Sequence, residues 1–430
     1  MDICIVGAGH VGLVTGACFA ELGNQVVCVD NDSAKIAGLK KSIMPFYEPG
    51  LKEMVVKNAK EKRLSFTTSL KGAVKKSLII FIAVGTPPKE NGEADLTDIE
   101  RVAQNIARFI PSYRLIVEKS TVPVETGRWV EHTIRVNIRG RKKFDVASNP
   151  EFLREGAGIE DFMRPDRIVL GVKSKRARDI LTELYKPLQA PIIITDIKSA
   201  ELIKHASNSF LATKISFINA IANICESVGA DVAKVAEGLG TDRRIGNKFL
   251  NAGCGYGGFC FPKDIEAFIR IAEKKGYDFQ LLKAVKEINE SQKSLMLKKI
   301  EDALWNLKDK TIGVLGLSFK PGTDDLRFAP SIDIIRKLQL EGANICAFDP
   351  QAMKGARSIF KDIKFCNDVY EAARGADCLL VLTEWNEFKE IDFKKIKKLL
   401  KQPVIIDGRN IYDPEKMKKM RFRYFAVGRS

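Results

Sequence analysis

The segment Val6-Gly7-Ala8-Gly9-His10-Val11-Gly12 constrains the fold more than any other part of the sequence. It follows a short β-branched run, Ile3–Val6, and precedes an apolar stretch with helical spacing. In a G-x-G-x-x-G turn, the first glycine permits the tight turn and the second lets the backbone approach a pyrophosphate. The third lets helix and strand pack closely, and the helix N-terminus faces the phosphates. The sequence therefore predicts a dinucleotide-binding α/β unit at the start of the chain.

Polar side chains follow the next strand-like runs. Asp30 lies eighteen residues after Gly12, where an acid binds the adenine ribose 2′-hydroxyl and repels the extra phosphate of NADP. This position favours NAD, although Lys35 nearby weakens the preference. Thr86 and Thr121 follow two further strands at the same predicted sheet edge, where ligands of such sheets bind. They are candidate cofactor or active-site hydroxyls, and the alternative is that both are ordinary turn residues.

Strand-like and helical patterns alternate through residues 1–196. The strand-like runs are short and nearly continuously apolar, as in strands buried on both faces of a parallel sheet. They are Ile3–Val6, Gln25–Val29, Leu78–Val84, Leu115–Glu118, Asp145–Ser148, Ile168–Gly171 and Ile192–Thr195. From residue 197 to about 300 no strand is predicted, and Ser199–Val228 has the periodicity of one long helix.

The strand pattern resumes after Lys310, with Thr311–Leu315, Asn344–Phe348, Cys378–Leu382 and Val404–Ile406. The fold class is therefore α/β, with two Rossmann-like doubly wound domains joined by a long central helix. We place the domain boundaries at 1–196, 197–306 and 307–430.

The charge and cysteine content argue against a nucleic-acid-binding protein and against a disulfide-stabilised secreted protein. The net charge of +16 is spread as +6, +3 and +7 over these three regions, and no nucleic-acid-binding motif accompanies it. Such a charge suits anionic small molecules. The nine cysteines lack CxxC spacing, which favours a reducing cytoplasm over a disulfide scaffold. We expect no signal peptide, no membrane span, no nucleic-acid partner and no metal site.

Two segments carry pairs of polar side chains four residues apart. Glu151 and Glu155 share a face if their segment is helical, and they could then hold a water or act as acid and base. The alternative is an exposed, capped helix start. Lys204 and Asn208 share a face of the long helix and are donors suited to a developing oxyanion, unless they are simply solvated. His205 beside them is predicted to be structural.

The glycine-rich segment Gly253–Asp264 contains the best candidate nucleophile. Phe261-Pro262 is typical of entry into a helix, which places Cys260 at the helix N-terminus, where a thiol pKa is lowered. Asp264, one turn on, could activate water, and Cys254 is the nearest rival thiol. A nicotinamide site beside a nucleophilic cysteine indicates two successive oxidations. An alcohol becomes an aldehyde, the thiolate traps it, and a thioester is then hydrolysed to an acid.

The chain resembles the UDP-glucose/GDP-mannose dehydrogenase family. The resemblance rests on motifs in family order: GAGHVG, VGTPP, STVPVETG, NPEFLREG, DFMRPDRIVLG, AELIKHASN, RIGNKFLNAGCGYGGFCFPKD, GLSFKPGTDDLR and IIDGRN. It implies NAD-dependent oxidation of the C6 alcohol of UDP-glucose to UDP-glucuronate, with two NAD per sugar. It also implies that the three domains are NAD-binding, central with a dimerisation role, and UDP-sugar-binding.

The resemblance further implies residue roles. Cys260 is the nucleophile, Lys204 and Asn208 steady the oxyanion, and Asp264 assists proton transfer. Glu155 and Thr121 position a water, with Glu151 in the same proton network. The implied cofactor-binding residues are Gly7, Gly9, Val11, Gly12, Asp30, Lys35, Thr86, Thr121, Glu155, Lys263 and Arg327. The implied substrate-binding residues are Phe152, Leu153, Lys204, Asn208, Arg244, Phe249, Leu250, Asn251, Ala252, Gly253, Gly257, Phe319, Lys320 and Arg409.

Arg244 is implied to enter the sugar site of a partner subunit, which makes a homodimer or a higher homo-oligomer. Two positions depart from the family pattern: Phe259 stands where a small serine is usual, and His205 replaces a tyrosine-like residue.

Two alternatives to this function stay open. The substrate could be another nucleotide sugar, GDP-mannose or a UDP-N-acetylhexosamine, or the chain could be a non-catalytic nucleotide-sugar-binding module.

Overall fold

The computed structural model describes residues 1–429, which form two compact units. The first unit comprises Met1–Ser207 and Glu266–Tyr277, and the second comprises Asn208–Ile265 and the chain from Asp278 onward. Two helices contain residues of both units, α9 (Ile197–Val228) and α11 (Cys260–Lys274).

The first unit is built on an eight-stranded sheet. Its strands are β1 (Asp2–Val6), β2 (Gln25–Val29), β3 (Leu64–Thr67), β4 (Ile79–Ile82), β5 (Arg114–Glu118), β6 (Phe144–Ser148), β7 (Ile168–Val172) and β8 (Ile192–Thr195). Its helices are α1 (His10–Glu21), α2 (Ser33–Lys40), α3 (Leu51–Lys60), α4 (Leu70–Lys76), α5 (Thr97–Phe109), α6 (Thr126–Asn137), α7 (Gly158–Met163), α8 (Lys175–Tyr185) and a 3₁₀ turn at Lys186–Leu188.

The strand order is β3-β2-β1-β4-β5-β6-β7-β8, as in a doubly wound sheet, so the predicted fold class is confirmed. Adjacent strands are parallel except β6 and β7, which pair antiparallel through Ala147 and Val172, contrary to the parallel prediction. Strand β3 was not predicted. The expected burial of every strand on both faces is wrong for β8, where Ile193 and Ile194 are 46% and 44% exposed at the sheet edge.

Both faces of this sheet are covered, as the alternation of side chains along β1 shows. Ile3 and Ile5 belong to one buried cluster, while Cys4 and Val6 belong to the cluster on the opposite face. Because β1 lies in the middle of the sheet, its carboxyl end and those of β4 and β5 meet at one edge. The turns that follow these strands are therefore placed side by side.

The second unit contains a six-stranded, all-parallel sheet in the order β11-β10-β9-β12-β13-β14. Its strands are β9 (Thr311–Leu315), β10 (Asn344–Phe348), β11 (Lys364–Phe365), β12 (Cys378–Val381), β13 (Val404–Asp407) and β14 (Arg423–Ala426). Its helices are α10 (Val232–Thr241), α12 (Gln280–Leu304), α13 (Pro330–Leu340), α14 (Met353–Ile359), α15 (Val369–Ala373), α16 (Asn386–Lys389), α17 (Phe393–Leu399) and α18 (Pro414–Lys419). The four predicted strands are present, and the edge strands β11 and β14 are additional.

The long helix α9 is confirmed and begins two residues before the predicted start. Asp196 accepts hydrogen bonds from the backbone N–H and the hydroxyl of Ser199, which caps its first turn. The helix ends before Gly229, whose φ of +73° suits a residue without a side chain. Across residues 1–429, no helix combines the length and apolarity required to cross a bilayer.

Candidate active site

The glycine turn between β1 and α1 has room for a ligand on one side and none on the other. A Cβ atom at Gly12 would lie 1.9 Å from the carbonyl oxygen of Gly7, and one at Gly7 would lie 2.5 Å from that of Ala83. A Cβ at Gly9 would meet nothing within 4 Å. The turn therefore packs tightly against the sheet while Gly9 stays open at the N-terminus of α1. Val11 follows it, half-buried, in the first turn of that helix.

Asp30 lies directly after β2 and is buried. Its carboxylate accepts hydrogen bonds from the backbone N–H groups of Ala8 and Asp32, at 2.9 and 3.0 Å, and from Lys35 Nζ at 2.9 Å. Burial opposes its ionisation, but the hydrogen bond from Lys35 and the two amides outweigh burial and hold the pKa of Asp30 below its usual value. A negative charge is thus fixed beside the glycine turn.

The turns after β4 and β5 meet, as the sequence predicted. The hydroxyl of Thr86 donates to the carbonyl oxygen of Thr121 at 2.9 Å, and the hydroxyl of Ser120 donates to that of Val84 at 2.7 Å. Thr86 is buried and Thr121 is half-buried.

Glu151 and Lys204 form a buried ion pair, with 3.0 Å between Glu151 Oε1 and Lys204 Nζ. The other oxygen of Glu151 accepts the backbone N–H of Leu153. Two cations lie near the ring of Phe152: the guanidinium of Arg167 is 3.6 Å from its centroid and Lys204 Nζ is 5.4 Å away.

The helical interpretation of the segment around Glu151 and Glu155 is wrong. Residues 149–156 form an irregular turn, and α7 begins only at Gly158, so Glu151 and Glu155 do not share a helix face. Glu151 is buried and Glu155 is half-buried.

In the second unit, Cys260 is the first residue of α11, which confirms the predicted placement at a helix N-terminus. Asp264 lies one turn further and is buried. Its Oδ2 accepts a hydrogen bond from the side-chain amide of Asn208 at 2.6 Å, and its Oδ1 is 2.7 Å from Lys263 Nζ. The side-chain amide of Asn208 and the buried ammonium group of Lys263 therefore fix the carboxylate of Asp264. This carboxylate is one helical turn from the half-buried thiol of Cys260.

The loop before Cys260 packs tightly against neighbouring backbone. A Cβ at Gly257 would lie 2.4 Å from the carbonyl oxygen of Phe328, and one at Gly253 would lie 2.7 Å from that of Gly408. Arg409 donates to the carbonyl oxygens of Gly255 and Phe319 and so ties this loop to the turn after β9. The guanidinium of Arg409 is therefore engaged with backbone carbonyl groups of the protein.

The remaining predicted substrate residues lie around the same loop. Phe249 has a φ of +65°, which is unusual for a residue with a side chain. Leu250 and Ala252 are buried, whereas Asn251 is exposed. Lys320 Nζ lies 5.5 Å from the ring of Phe319.

Phe259, which replaces the small residue of the family pattern, packs against cations. The guanidinium of Arg327 is 4.3 Å from its ring centroid, and Lys263 Nζ is 5.6 Å away. Arg244 lies elsewhere, exposed on the turn after α10, where it pairs with Asp242.

Sequence reasoning missed two buried groups near the predicted site. Glu48 accepts the N–H groups of Gly156 and Gly158, both at 2.7 Å, and its other contact is His10 Nε2 at 2.6 Å. It therefore links the cofactor turn to the segment that carries Glu155. Lys119 donates to Asn149 at 3.0 Å, and burial lowers its pKa to about 8. No local spacing marks either residue, because their partners are distant in sequence.

Three family descriptions match successive parts of the chain. The NAD binding domain of the UDP-glucose/GDP-mannose dehydrogenase family matches residues 1–189, its central domain matches residues 198–291, and its UDP binding domain matches residues 313–414. The order of these matches is the order in which the two sheets and the long helix occur along the chain.

Individual relatives agree with these matches. The chain is 51% identical over 428 residues to UDP-glucose 6-dehydrogenase TuaD of Bacillus subtilis (strain 168), covering 99% of this chain and 93% of that protein. It is 48% identical over 436 residues to UDP-glucose 6-dehydrogenase of Rhizobium meliloti (strain 1021), with both chains fully covered. The solved UDP-glucose dehydrogenase of the archaeon Pyrobaculum islandicum has a TM-score of 0.93 and 37% identity, covering 100% of this chain and 98% of that one. The chain belongs to the UDP-glucose/GDP-mannose dehydrogenase family.

Proposed function

We propose that this protein is an NAD-dependent UDP-glucose 6-dehydrogenase that converts the C6 alcohol of UDP-glucose to the carboxylate of UDP-glucuronate. The observation that carries the proposal is Cys260 at the first residue of α11, with the buried carboxylate of Asp264 one turn away. An ordinary alcohol dehydrogenase does not need a nucleophilic cysteine, whereas a two-step oxidation to an acid uses one.

The first unit fits NAD. Gly9 leaves open space at the N-terminus of α1, where backbone N–H groups suit a pyrophosphate. The fixed carboxylate of Asp30 suits a ribose 2′-hydroxyl and repels a 2′-phosphate, so NAD is preferred over NADP. When bound, NAD supplies the hydride acceptor for both oxidations. The further proposed cofactor contacts are Val11, Lys35, Thr86, Thr121, Glu155, Lys263 and Arg327.

The reaction proceeds in two oxidations and a hydrolysis. C6 of the alcohol loses a hydride, and its hydroxyl loses a proton, to give an aldehyde. The thiolate of Cys260 adds to the aldehyde carbon, and the oxygen takes up a proton to give a thiohemiacetal. The thiohemiacetal then loses a second hydride and its hydroxyl proton to become a thioester. Water then attacks the thioester, the C–S bond breaks, and the acid and the thiol are released.

Each polar side chain is assigned a role in these steps. Lys204 and Asn208, one turn apart on α9, donate to the oxygen on C6 as negative charge develops. Asp264, oriented by Lys263 and Asn208, moves the proton at that oxygen and at the attacking water. Thr121 and Glu155 position this water, and Glu151 holds Lys204 in place through the ion pair.

The substrate is bound mainly by the second unit. We assign NAD binding to residues 1–196, the catalytic lysine, cysteine and dimer contacts to residues 197–306, and UDP binding to residues 307–430. The loop around Phe249–Gly253, Gly257 and the turn at Phe319 and Lys320 are proposed to enclose the nucleotide sugar. Phe152 and Leu153 are further proposed substrate contacts. Arg409 acts by fixing the loop backbone.

Stoichiometry tests this function. With limiting UDP-glucose and excess NAD, we expect two NADH per sugar and formation of one carboxylate, measured by absorbance and by mass spectrometry of the product. GDP-mannose and UDP-N-acetylglucosamine run in parallel, and we expect UDP-glucose to have the highest kcat/KM. A yield of one NADH per sugar, or a higher kcat/KM for another sugar, would contradict the proposal.

An apolar stripe on α9 supports a homodimer. Phe210, Phe217, Ile224 and Val228 recur at intervals of seven and four residues, so they share one face of the helix, and they are 66%, 51%, 56% and 70% exposed. Large apolar side chains in such a row are typical of a subunit interface. Lys214, between Phe210 and Phe217, donates to the carbonyl oxygens of Ile245 and Gly246, which places the turn with Arg244 beside the stripe. This placement supports the proposal that Arg244 enters a partner's site.

Phe217→Glu is expected to convert the dimer to monomers at micromolar concentration, because a charge would be buried in the apolar interface. Light scattering after size-exclusion chromatography should show a mass near 47.9 kDa instead of twice that value. Enzyme activity should fall when the dimer dissociates, since each site then loses the partner's arginine. Ala233→Glu, the same change of charge on an exposed position of α10, should stay dimeric. A dimeric Phe217→Glu variant would exclude this stripe as the interface.

The cytoplasm is the proposed location. Within residues 1–429 all nine cysteines are thiols without disulfides, and several of them, including Cys4, Cys18 and Cys28, are buried in the cores. A reducing compartment preserves such thiols, and the catalytic thiol of Cys260 above all.

A further inference from the structure

Two carboxyl groups meet in the interior of the first unit, beneath the turn that carries Thr121. Glu118 ends β5 and Glu201 lies on α9; both are buried, and their carboxyl groups interact with each other. A Cβ atom at Gly127 would lie 3.2 Å from Glu201 Oε1 and 3.7 Å from Glu118 Oε2, so both groups converge on this glycine. Among residues 1–429, no N–H or O–H group of another side chain or of the backbone donates to either oxygen of Glu118.

Two buried carboxylates side by side repel each other strongly when both are charged, and within residues 1–429 no cation pairs with either of them. The next residue of the strand, Lys119, points to the other face and binds Asn149. Lys198 pairs with Glu125, outside the pair. Burial and the charge of Glu201 raise the pKa of Glu118 well above its usual value. Burial also raises the pKa of Glu201, but two backbone amides stabilise its charged form. One proton is therefore shared, and it resides on Glu118.

The charged member of the pair fixes the turn before α6. Glu201 Oε2 accepts the N–H of Glu125 and Oε1 accepts the N–H of Gly127, both at 2.7 Å. Glu125 has a φ of +82°, a conformation that a residue with a side chain adopts only when its surroundings impose it. One turn along α9 from Glu201, His205 Nε2 lies 2.7 Å from the carbonyl oxygen of Val122. Two side chains of helix α9, Glu201 and His205, therefore contact the backbone at both ends of the segment 122–127.

We propose that Glu118 and Glu201 are positioning residues: a carboxylic acid on Glu118 donates to the carboxylate of Glu201, which holds the turn that aims Thr121. Helix α9 then carries two pairs of side chains with different roles. Glu201 and His205 hold the turn, while Lys204 and Asn208 serve the reacting carbon. This inference rests on the proposed role of Thr121 in placing the hydrolytic water.

Glu201→Gln tests the positioning role. An amide offers one acceptor oxygen to two N–H donors, so the turn loses one of its two hydrogen bonds. If Thr121 is misplaced, thioester hydrolysis slows more than hydride transfer. We expect kcat to fall at least tenfold, with a burst of NADH in the first turnover. Acid-quenched protein should carry a UDP-glucuronyl mass on Cys260, whereas the wild type should not.

Glu183→Gln, at an exposed position of α8, is the matched control and should show neither change. A uniform loss of rate without burst or adduct, or an unchanged rate, would overturn the positioning role. Failure of the proposed function is a separate result, since it would show in the wild type as a yield other than two NADH per UDP-glucose.

Glu118→Gln tests the shared proton without relying on activity. In the unfolded chain Glu118 ionises above about pH 4.3, whereas in the folded protein it stays protonated, so rising pH favours the unfolded wild type. Glutamine does not ionise and still donates to Glu201. In urea titrations, the folded-to-unfolded ratio of Glu118→Gln relative to wild type should therefore rise with pH above about pH 5, by up to about tenfold per pH unit. For Glu183→Gln the relative ratio should stay constant. A pH-independent ratio for Glu118→Gln would show that Glu118 is charged in the folded state and would overturn the proposal.

Discussion

Cys260→Ala is expected to lower kcat for UDP-glucuronate formation by at least about 10³-fold, equivalent to about 4 kcal/mol of transition-state stabilisation. Without the thiol, the aldehyde formed in the first oxidation cannot be held as a thiohemiacetal, and the thioester cannot form. We expect the rest of the site to stay in place, because Asn208 and Lys263 both hold Asp264. Binding of UDP-glucose, measured by calorimetry, should change less than threefold.

Cys346→Ala is the matched control, since Cys346 is also a half-buried thiol of the second unit but lies in the strand β10. It should keep full activity and two NADH per sugar. Cys260→Ala activity within tenfold of the wild type would contradict covalent catalysis at this residue. Full inactivity of the control would show instead that any thiol lost from this unit disrupts it.

The fold was predictable where patterns are local. The glycine turn, the buried strands and the long helix each occupy one stretch of sequence, and the structure contains all of them. The edge strands β3, β11 and β14 were missed, because a strand with a neighbour on one side only need not be continuously apolar. The antiparallel direction of β7 was also missed, since strand direction depends on the path of the connection and not on the strand's own residues.

The candidate site also contains residues that local spacing associates and residues that only the folded chain brings together. Cys260 and Asp264 are one turn apart on a helix, and that spacing was sufficient to associate them. The partners of Glu151 were not foreseeable from its own segment, because the expected helix is absent and the ion pair is made with Lys204 on α9. Glu118 and Glu201 had no signal at all. Two acidic residues 83 positions apart become a pair only when β5, α6 and α9 pack together.

Lys204→Met should both destabilise and inactivate the protein. The ion pair between Lys204 and Glu151 is buried on both sides, and removing one partner of such a pair typically costs 3–5 kcal/mol. We expect about 3 kcal/mol, the lower end of this range, because Lys119 remains as a buried cation that attracts the charge of Glu151. Urea unfolding monitored by circular dichroism measures this loss. If Lys204 is the oxyanion donor that we propose, its loss should also lower kcat by about 10²–10³-fold.

The double variant Lys204→Met with Glu151→Gln separates these two effects. Glutamine carries no charge to be left unpaired, and its oxygen can still accept the N–H of Leu153, so at least half of the lost free energy of unfolding should return. Activity should not return, because no ammonium group reaches the oxygen on C6. If the double variant is as unstable as Lys204→Met, the ion pair does not account for the loss. If it regains activity with stability, Lys204 acts through folding alone and not on the substrate.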